Sequence, residues 1–221
     1  MIALVTIAVS AVGWLSYRRL EQALLPRVLE RTETHVQLAA AELTSYVAGP
    51  LADITGFRSL PPLAALIRAR LAGGADPLDG FLEKVLIDRI SSRVVSEFEA
   101  KPAYAEFQVF SLDGNWREIL RVDRSGPEGA ARIVPEPELA RNVDAPYFAA
   151  TISLAARDTF VSAIELETPS GRAEAARMPT LRFAAPLLNR DGGRLGIVTI
   201  KIDMRPAFDR ARSQQRPGGA I

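Results

Sequence analysis

The chain has no cysteine, a single histidine and only three lysines among its 221 residues. Without cysteine it can form neither a disulfide framework nor a thiolate metal site. The histidine, His35, falls on the polar side of a predicted helix, which argues against a catalytic triad or a histidine-based metal site. Charge of one sign is also lacking, because 27 basic residues are balanced by 26 acidic ones. We therefore expect no metal, no cofactor and no nucleic-acid partner.

The short motifs of common enzyme classes are missing as well. GxxxxGK, GxSxG and HExxH do not occur in the chain, and each of these motifs carries a specific catalytic or phosphate-binding geometry. What the chain does have is a hydrophobic fraction of 48%. At this length that fraction is enough to build the core of one domain with an extension.

The N-terminal residues 1 to 17, MIALVTIAVSAVGWLSY, carry no charge. As a helix they span roughly 25 Å, slightly less than the ~30 Å hydrocarbon core of a bilayer. A signal peptide would begin with basic residues and end in a small-residue cleavage site, which this segment does not have. The segment therefore predicts an uncleaved membrane anchor. Arg18 and Arg19 alone would place the following residues in the cytoplasm by the positive-inside rule, unless a further segment precedes them.

The segment from residue 25 to 47 has apolar side chains at spacings of four and three. This near-heptad stripe predicts an amphipathic helix that leaves the membrane, with charged side chains off the stripe. Gly49 and Pro50 are expected to end the helix. The stripe also favours a parallel homodimer. Its members are Leu25, Leu29, Thr32, Val36, Ala39, Leu43 and Val47.

Two more helices are predicted before residue 100. The segment PPLAALIRARLAGG begins with proline and ends with two glycines, as a short helix should. The next helix is expected to have Asp76 as its N-cap and Pro77 in its first turn, and to run to about Glu99 with one apolar side. The first hundred residues are thus predicted to be helical.

After residue 100 the pattern becomes typical of strands. AYAEFQVFSLDGNWREILRVDR indicates two strands joined by a hairpin turn at Asp113 and Gly114. A loop rich in glycine, proline and glutamate follows at 126–135, and residues 136–156 form a helical or irregular connection. TFVSAIEL predicts a third strand.

The last two strands lie in TLRFAAPLLNRDGGRLGIVTIKID, with a turn at Asp191, Gly192 and Gly193. Both alternating sets of the final strand are apolar, which predicts that the strand is covered on both faces. A five-stranded antiparallel sheet flanked by helices, with a long N-terminal stalk helix, is an α+β fold of PAS-like shape.

Four segments follow one another in a characteristic order, namely KPAYAEFQVFSLDGNWREILRVDRSG, ELARNVDAPYFAATISL, TFVSAIELETPSGR and MPTLRFAAPLLNRDGGRLGIVTIKID. In this order they resemble the Cache (PDC) extracytoplasmic sensor domains of bacterial transmembrane receptors. The similarity covers residues 20 to 210 and is greatest to the membrane-distal module of double-Cache receptors with histidine kinase or diguanylate cyclase outputs.

The resemblance implies an organisation for the whole chain. The transmembrane anchor is expected at 1–17, the stalk helix at 18–48, the sensor domain at 49–210 and a tail or link to further domains at 211–221. It also implies a protein of the inner membrane whose sensor domain lies in the periplasm, binds a small molecule and signals through the stalk. The output of the parent protein, a kinase, a cyclase or a chemoreceptor, stays open.

The same resemblance places Tyr147, Ser162 and Arg182 around a small-ligand pocket on the far face of the sheet. A guanidinium with its fixed donors suits a carboxylate or a phosphate, and a tyrosine hydroxyl can orient such an anion. Arg182 is equally compatible with an exposed strand residue that pairs with a neighbouring acid, so both interpretations remain open.

Arg121 in ILRVDR is a second candidate cation. For Arg121 a structural pair with Asp123 or Glu118 is the favoured alternative, and for Tyr147 a core position with a satisfied hydroxyl is favoured.

Two other classes of function compete with a sensor of small anions. An anchored hydrolase would use Glu165, Glu167 or Asp203, although no nucleophile or phosphate loop accompanies them. A ligand-free dimerisation or protein-contact module would depend on the heptad stripe. We favour the sensor and assign no catalytic residue.

Overall fold

The computed structural model describes residues 12–14, 17, 36–112, 116–125, 129–140, 145–167 and 177–215. Most of the predicted anchor and of the stalk before residue 36, His35 included, lies outside this part of the chain. Within the described part, no helix is both long and apolar enough to cross a bilayer. Residues 46–208 form one compact unit, and the described residues outside this range belong to another.

The compact unit contains one antiparallel sheet. Its strands are β1 (Tyr104–Ser111), β2 (Arg117–Asp123), β3 (Arg132–Ile133), β4 (Phe160–Val161), β5 (Glu165–Glu167), β6 (Met178–Leu188) and β7 (Arg194–Asp203). They are arranged in the order β3-β2-β1-β7-β6-β4, and β5 pairs with β6. Strand β7 is central and buried over most of its length, as its two apolar sets predict. The α+β class and the antiparallel PAS-like sheet are confirmed.

Helices cover both faces of this sheet. Helix α1 covers residues 36–58, and the others are α2 (Pro61–Leu71), α3 (Glu83–Ala100), α4 (Pro146–Ser153) and α5 (Arg205–Gln215). Helix α2 has proline at its start and stops before Gly73, whose φ of 87° is left-handed, so its prediction is confirmed. Helix α4 lies within the connection expected at 136–156.

One face of the sheet is apolar and packs against the first three helices. Phe107 of β1 lies opposite Ile200 of β7, which is opposite Phe183 of β6, and all three are buried. The ring of Phe57 in α1 packs on Phe107 with centroids 5.0 Å apart. Burial of each such side chain contributes about 1.5–3 kcal/mol. This face therefore holds the main core.

The opposite face carries polar side chains at one end and aromatic ones at the other. Phe110 and Ile197 are cross-strand partners at the aromatic end, where α4 packs on β6 and β7. The ring of Phe148 in α4 meets that of Phe110 edge to face at 4.8 Å. This distal face, covered in part by α4, is the one on which the resemblance predicts a ligand.

Helix α1 does not end at Gly49 and Pro50, as predicted, but continues to residue 58. A proline inside a helix costs about 3 kcal/mol, because its nitrogen has no hydrogen to donate. Packing offsets this cost, since Pro50 is buried and the next two turns place Ile54 and Phe57 in the core. Tertiary burial here outweighs the local signal.

The predicted start of α3 is also wrong. Asp76 and Pro77 precede a loop, and the helix begins at Glu83. The Asp76 carboxylate accepts two hydrogen bonds from the Arg68 guanidinium at 2.9 and 2.7 Å instead of capping a helix. Gly80 has a φ of 70°, which takes the backbone out of the right-handed helical region.

Two differences concern the strands. The third predicted strand is split into β4 and β5, because residues 162–164 leave the ladder between them. The short strand β3 forms in the segment predicted to be a loop and pairs with the end of β2. In the described part of the chain the sheet therefore has seven strands rather than five. The hairpin strands β1 and β2 are confirmed, and their Asp113–Gly114 turn lies outside the described residues.

Gly196 in β7 tests how closely the central strands approach. A Cβ at this position would lie 1.9 Å from the carbonyl oxygen of Phe110. We expect Gly196→Ala to lower the free energy of unfolding by about 1–3 kcal/mol, because the backbone has to move. Gly56→Ala in α1, where a Cβ meets nothing within 4 Å, should stabilise the protein by roughly 0.5–1 kcal/mol. Urea unfolding of both variants measures the two changes in the free energy of unfolding. Equal changes in the two variants would contradict the prediction.

Candidate functional site

The polar end of the distal face is built by alternation along three adjacent strands. Glu106 of β1 lies opposite Lys201 of β7, which lies opposite Arg182 of β6. Gln108 and Thr199 form the next row. Because every second side chain of a strand points to the same face, these polar groups share one surface while their neighbours enter the apolar core.

Lys201 forms ion pairs with two acidic side chains of this surface, Glu106 and Glu167. Its Nζ lies 3.0 Å from Glu106 Oε1 and 2.8 Å from Glu167 Oε2. The Lys201 side chain is 7% exposed and that of Glu106 5%. Such buried charges persist only when they are paired and hydrogen-bonded. Lys201 therefore holds the short strand β5, through Glu167, against the centre of the sheet.

Arg182 takes part in the same ion cluster. Its Nη1 donates to Gln108 Oε1 at 3.0 Å, and its Nη2 donates to Glu167 Oε1 at 3.4 Å. Glu106 Oε1 lies 3.7 Å from Nη1. The side chain is 12% exposed, so Arg182 is not the exposed strand residue of one interpretation. It is a largely buried cation with acidic partners.

Gln108 connects this cluster to a second ion pair. Its Nε2 donates to Glu118 Oε1 at 2.8 Å. Arg121 binds Glu118 through two donors, with Nε at 2.7 Å from Oε1 and Nη2 on Oε2. Burial lowers the pKa of Arg121, but the hydrogen bond to Glu118 and the negative charges of Glu118, Glu106 and Asp123 together raise it, and the net shift is upward. The structural pair with Glu118, which was favoured for Arg121, is present.

Tyr147 of α4 covers Arg182 from above the sheet. The guanidinium carbon of Arg182 lies 4.7 Å from the centre of the tyrosine ring, a cation–π geometry. Burial raises the pKa of Tyr147 to about 12, although the positive charge of Arg182 opposes this shift. Burial also lowers the pKa of Arg182, but Tyr147, Glu106 and Glu167 raise it above its ordinary value. At neutral pH the pair is therefore a cation under a neutral phenol.

Ser162 is placed beside Arg182 by the irregular stretch between β4 and β5. The backbone N–H of Arg182 donates to Ser162 Oγ at 3.0 Å. The serine hydroxyl in turn donates to the carbonyl of Ala163 at 2.6 Å. Ser162 thus shapes the backbone next to Arg182, and its hydroxyl is already engaged.

The structure brings Arg182, Tyr147 and Arg121 together on one face, with Ser162 at its margin. It adds side chains that the sequence reasoning missed, namely Glu106, Gln108, Glu118 and Lys201. A signal for two of them was present in AEFQVF, where a glutamate and a glutamine alternate with apolar residues in a strand. Polar residues with that period in a central strand indicate a polar buried surface.

The acidic residues considered for hydrolysis have other partners. Glu167 binds Lys201, and Asp203 accepts hydrogen bonds from the Arg205 guanidinium at 2.6 to 3.0 Å. Glu165 is exposed on β5. Glu167 and Asp203 are thus engaged in ion pairs in this structure.

Comparisons by sequence give no relative. No family model matches the chain, and no curated protein matches it.

Solved structures, in contrast, share the fold. The extracellular domain of a histidine kinase superposes with a TM-score of 0.64 at 15% identity, over 85% of this chain and 63% of that one. A domain of a sensory box/GGDEF family protein from Vibrio parahaemolyticus superposes with a TM-score of 0.53 at 16% identity, over 80% of this chain and 64% of that one. The ligand-binding domain of the Campylobacter jejuni chemoreceptor Tlp3, in complex with L-valine, superposes with a TM-score of 0.59 at 12% identity, over 89% of this chain and 67% of that one.

The chain thus has the fold of extracellular sensor domains of bacterial receptors, as the Cache resemblance predicts. It spans 63% and 64% of the first two of these structures. At such identities the likeness concerns the fold.

Substitution of Glu118 measures how much the polar face contributes to the free energy of unfolding. Glu118→Ala removes the acceptor of Gln108 and Arg121 and leaves a buried cation uncompensated, which should cost about 3–5 kcal/mol of unfolding free energy. Asp209→Ala breaks an exposed pair with Arg212 and should change stability by less than about 0.5 kcal/mol. Urea unfolding compares the two. Similar losses would mean that the buried network stabilises no more than a surface pair.

Proposed function

We propose that the chain is the extracytoplasmic sensor domain of a bacterial receptor, which binds a small anionic molecule on the distal face and signals through α1. The observation that carries the proposal is the position of Arg182 beneath Tyr147, next to Lys201 and Arg121. Three basic side chains on one partly covered surface favour a carboxylate or phosphate group. We assign no catalytic activity to this domain.

Glu167 suggests how an anion enters. Its carboxylate bridges Arg182 and Lys201, yet its side chain is 29% exposed and belongs to the three-residue strand β5. A ligand carboxylate has the same chemistry and can compete for these two cations. Exchange of one carboxylate for the other would break the ion pairs that tie β5 to the centre of the sheet and leave only its backbone pairing with β6. The ligand would then favour the state in which β5 is held less firmly.

Side chains on the other side of the sheet link this exchange to helix α1. Tyr46 of α1 donates its hydroxyl to the carbonyl oxygen of Asp203 at 2.7 Å. Asp53 of α1 accepts from Lys101 Nζ at 2.6 Å and from the hydroxyl of Tyr104. These contacts tie α1 to the end of β7 and the start of β1, the strands that carry Lys201 and Glu106. A shift of these strands therefore acts directly on α1.

The remaining features belong to the same proposal. Residues 1–17 anchor the chain in the inner membrane, the domain lies in the periplasm, and two chains pair in parallel through the stripe at 25–47. The boundaries 18–48, 49–210 and 211–221 separate stalk, sensor and tail. The Tlp3 domain solved with L-valine is a precedent for a small molecule on this fold.

A ligand-free dimerisation or protein-contact module is the second candidate. Two observations favour it. Arg182 already has Glu167 and Gln108 as partners, and Val36 and Leu38 of α1 are 60% and 51% exposed. In this case the ion cluster is structural, and the helix surface carries the function.

A titration with small anions separates the two candidates. Mono-, di- and tricarboxylates and inorganic phosphate are screened by thermal shift, and the best probe is measured by calorimetry. Arg182→Ala should cost about 2–5 kcal/mol of binding, which is roughly 30- to 4000-fold in Kd. Tyr147→Phe should have a smaller effect because the ring stays over the guanidinium.

Arg68→Ala is the matched control for this titration. Arg68 is 15% exposed and paired with a buried carboxylate, like Arg182, but lies in α2. The variant should lose stability and keep the affinity of the wild type. Equal affinities of all variants, or no probe that binds, would refute the anion site and favour the ligand-free module.

A reporter fusion tests the location of the domain. An enzyme active only in the periplasm, fused after residue 215, should be active, because the anchor would leave everything after it outside. The same enzyme fused to residues 46–215 without the preceding segment is the control and should be inactive. Activity of a cytoplasmic reporter in the first fusion would instead support the orientation that Arg18 and Arg19 favour.

A further inference from the structure

A cavity lies on the distal face, beyond the ion cluster. It has a volume of about 200 Å³ and opens where β1 begins and β7 ends. We call it the lower cleft, and its lining includes Ala105, Glu106, Asp123, Met178, Lys201 and Arg205. A water molecule takes about 30 Å³, so the cleft has room for a molecule of several non-hydrogen atoms.

Asp123 is the side chain of this cleft whose bonding is incomplete. It is 2% exposed. Its Oδ1 accepts from the Ser125 backbone N–H at 3.0 Å, from the Ser125 hydroxyl and from Arg132 Nε at 3.2 Å. Its Oδ2 is buried and has no donor within the described part of the chain. A carboxylate oxygen buried without a donor is costly and calls for a partner.

The neighbours of Asp123 indicate a positively charged partner. Glu106 is its cross-strand partner on β1, and like charges directly opposite each other are destabilising. Lys201 compensates Glu106 at 3.0 Å, and Arg132 compensates Asp123 on its other oxygen. The described residues contain no group of three or more acids or histidines able to hold a metal ion. The partner that best fits the Asp123 carboxylate is therefore a compact cation with N–H donors.

We propose that the lower cleft binds the ammonium group of a small primary amine, which donates a hydrogen bond to Asp123 Oδ2. Ala103, Ala105 and Met178 provide an apolar wall for the alkyl part of such a molecule. The proposal does not depend on the anion site, because it uses neither Arg182 nor Tyr147. The two sites share the Glu106–Lys201 pair, which lies between them.

The test uses ethylammonium as the probe on the full chain. Thermal shift and calorimetry are performed with ethylammonium chloride, and with tetramethylammonium chloride and sodium chloride at equal ionic strength. Ethylammonium should raise the melting temperature in a saturable way. Tetramethylammonium carries the same charge without an N–H and should behave like sodium. An equal response to all three salts would overturn the proposal.

Asp123→Asn tests the acceptor. The amide keeps an oxygen for Ser125 and Arg132 but replaces the charged Oδ2 by a donor, so ethylammonium should bind about tenfold more weakly or worse. Glu99→Gln, an exposed carboxylate on α3, is the matched control and should bind as the wild type does. Unchanged affinity of Asp123→Asn would contradict the proposal.

Ala105→Leu keeps the proposal testable if Asp123→Asn does not fold. The larger side chain fills the lower cleft and leaves Asp123 in place, so the response to ethylammonium should be lost. Arg182→Ala should keep that response even where it loses the response to carboxylates, which separates the two sites. Binding of ethylammonium to Ala105→Leu with wild-type affinity would place the amine elsewhere and refute the lower cleft.

Discussion

The side-chain amide of Gln108 holds together the polar face on which the other features of this domain depend. Its oxygen accepts from Arg182, and its nitrogen donates to Glu118. A carboxylate here would add an uncompensated charge, and an apolar residue would leave both partners short of a bond. Through Arg182 the amide supports Tyr147 and helix α4, and through Glu118 it supports the loop at Ala140, whose backbone N–H binds the same carboxylate. One neutral group thus joins two clusters of charge.

Most of the strands could be predicted from the sequence because their signals are local. The alternation of β1 and the two apolar sets of β7 are properties of a few consecutive residues. The partners of Arg182 could not be predicted, since they depend on which residues face each other across strands. A register shift between Tyr104 and Glu106 sets Glu106 opposite Lys201, and a slip by one residue would turn Glu106 into the apolar core. The error at Pro50 has the same origin, because the burial that keeps this helix intact is supplied by distant residues.

The solved structures share the architecture of this chain at 12 to 16% identity. At that level an apolar core can be preserved by pattern alone, while the chemistry of a surface is free to differ. The distal face must therefore be understood from its own side chains. Its aromatic end under α4 and its ionic end at β1 and β7 offer different environments, and the row formed by Gln108 and Thr199 lies between them.

The central position of β7 has a consequence for how the chain acquires its structure. This strand ends at Asp203, yet it lies between β1, which starts at Tyr104, and β6. Until β7 has been synthesised, β1 and β6 each present an open edge and the apolar face has no centre. Contacts so distant in sequence form slowly, because a long loop must close before they contribute. A nascent chain that ends before β7 exposes these unpaired edges, which invite aggregation. The domain therefore has to fold as a late, cooperative event rather than strand by strand.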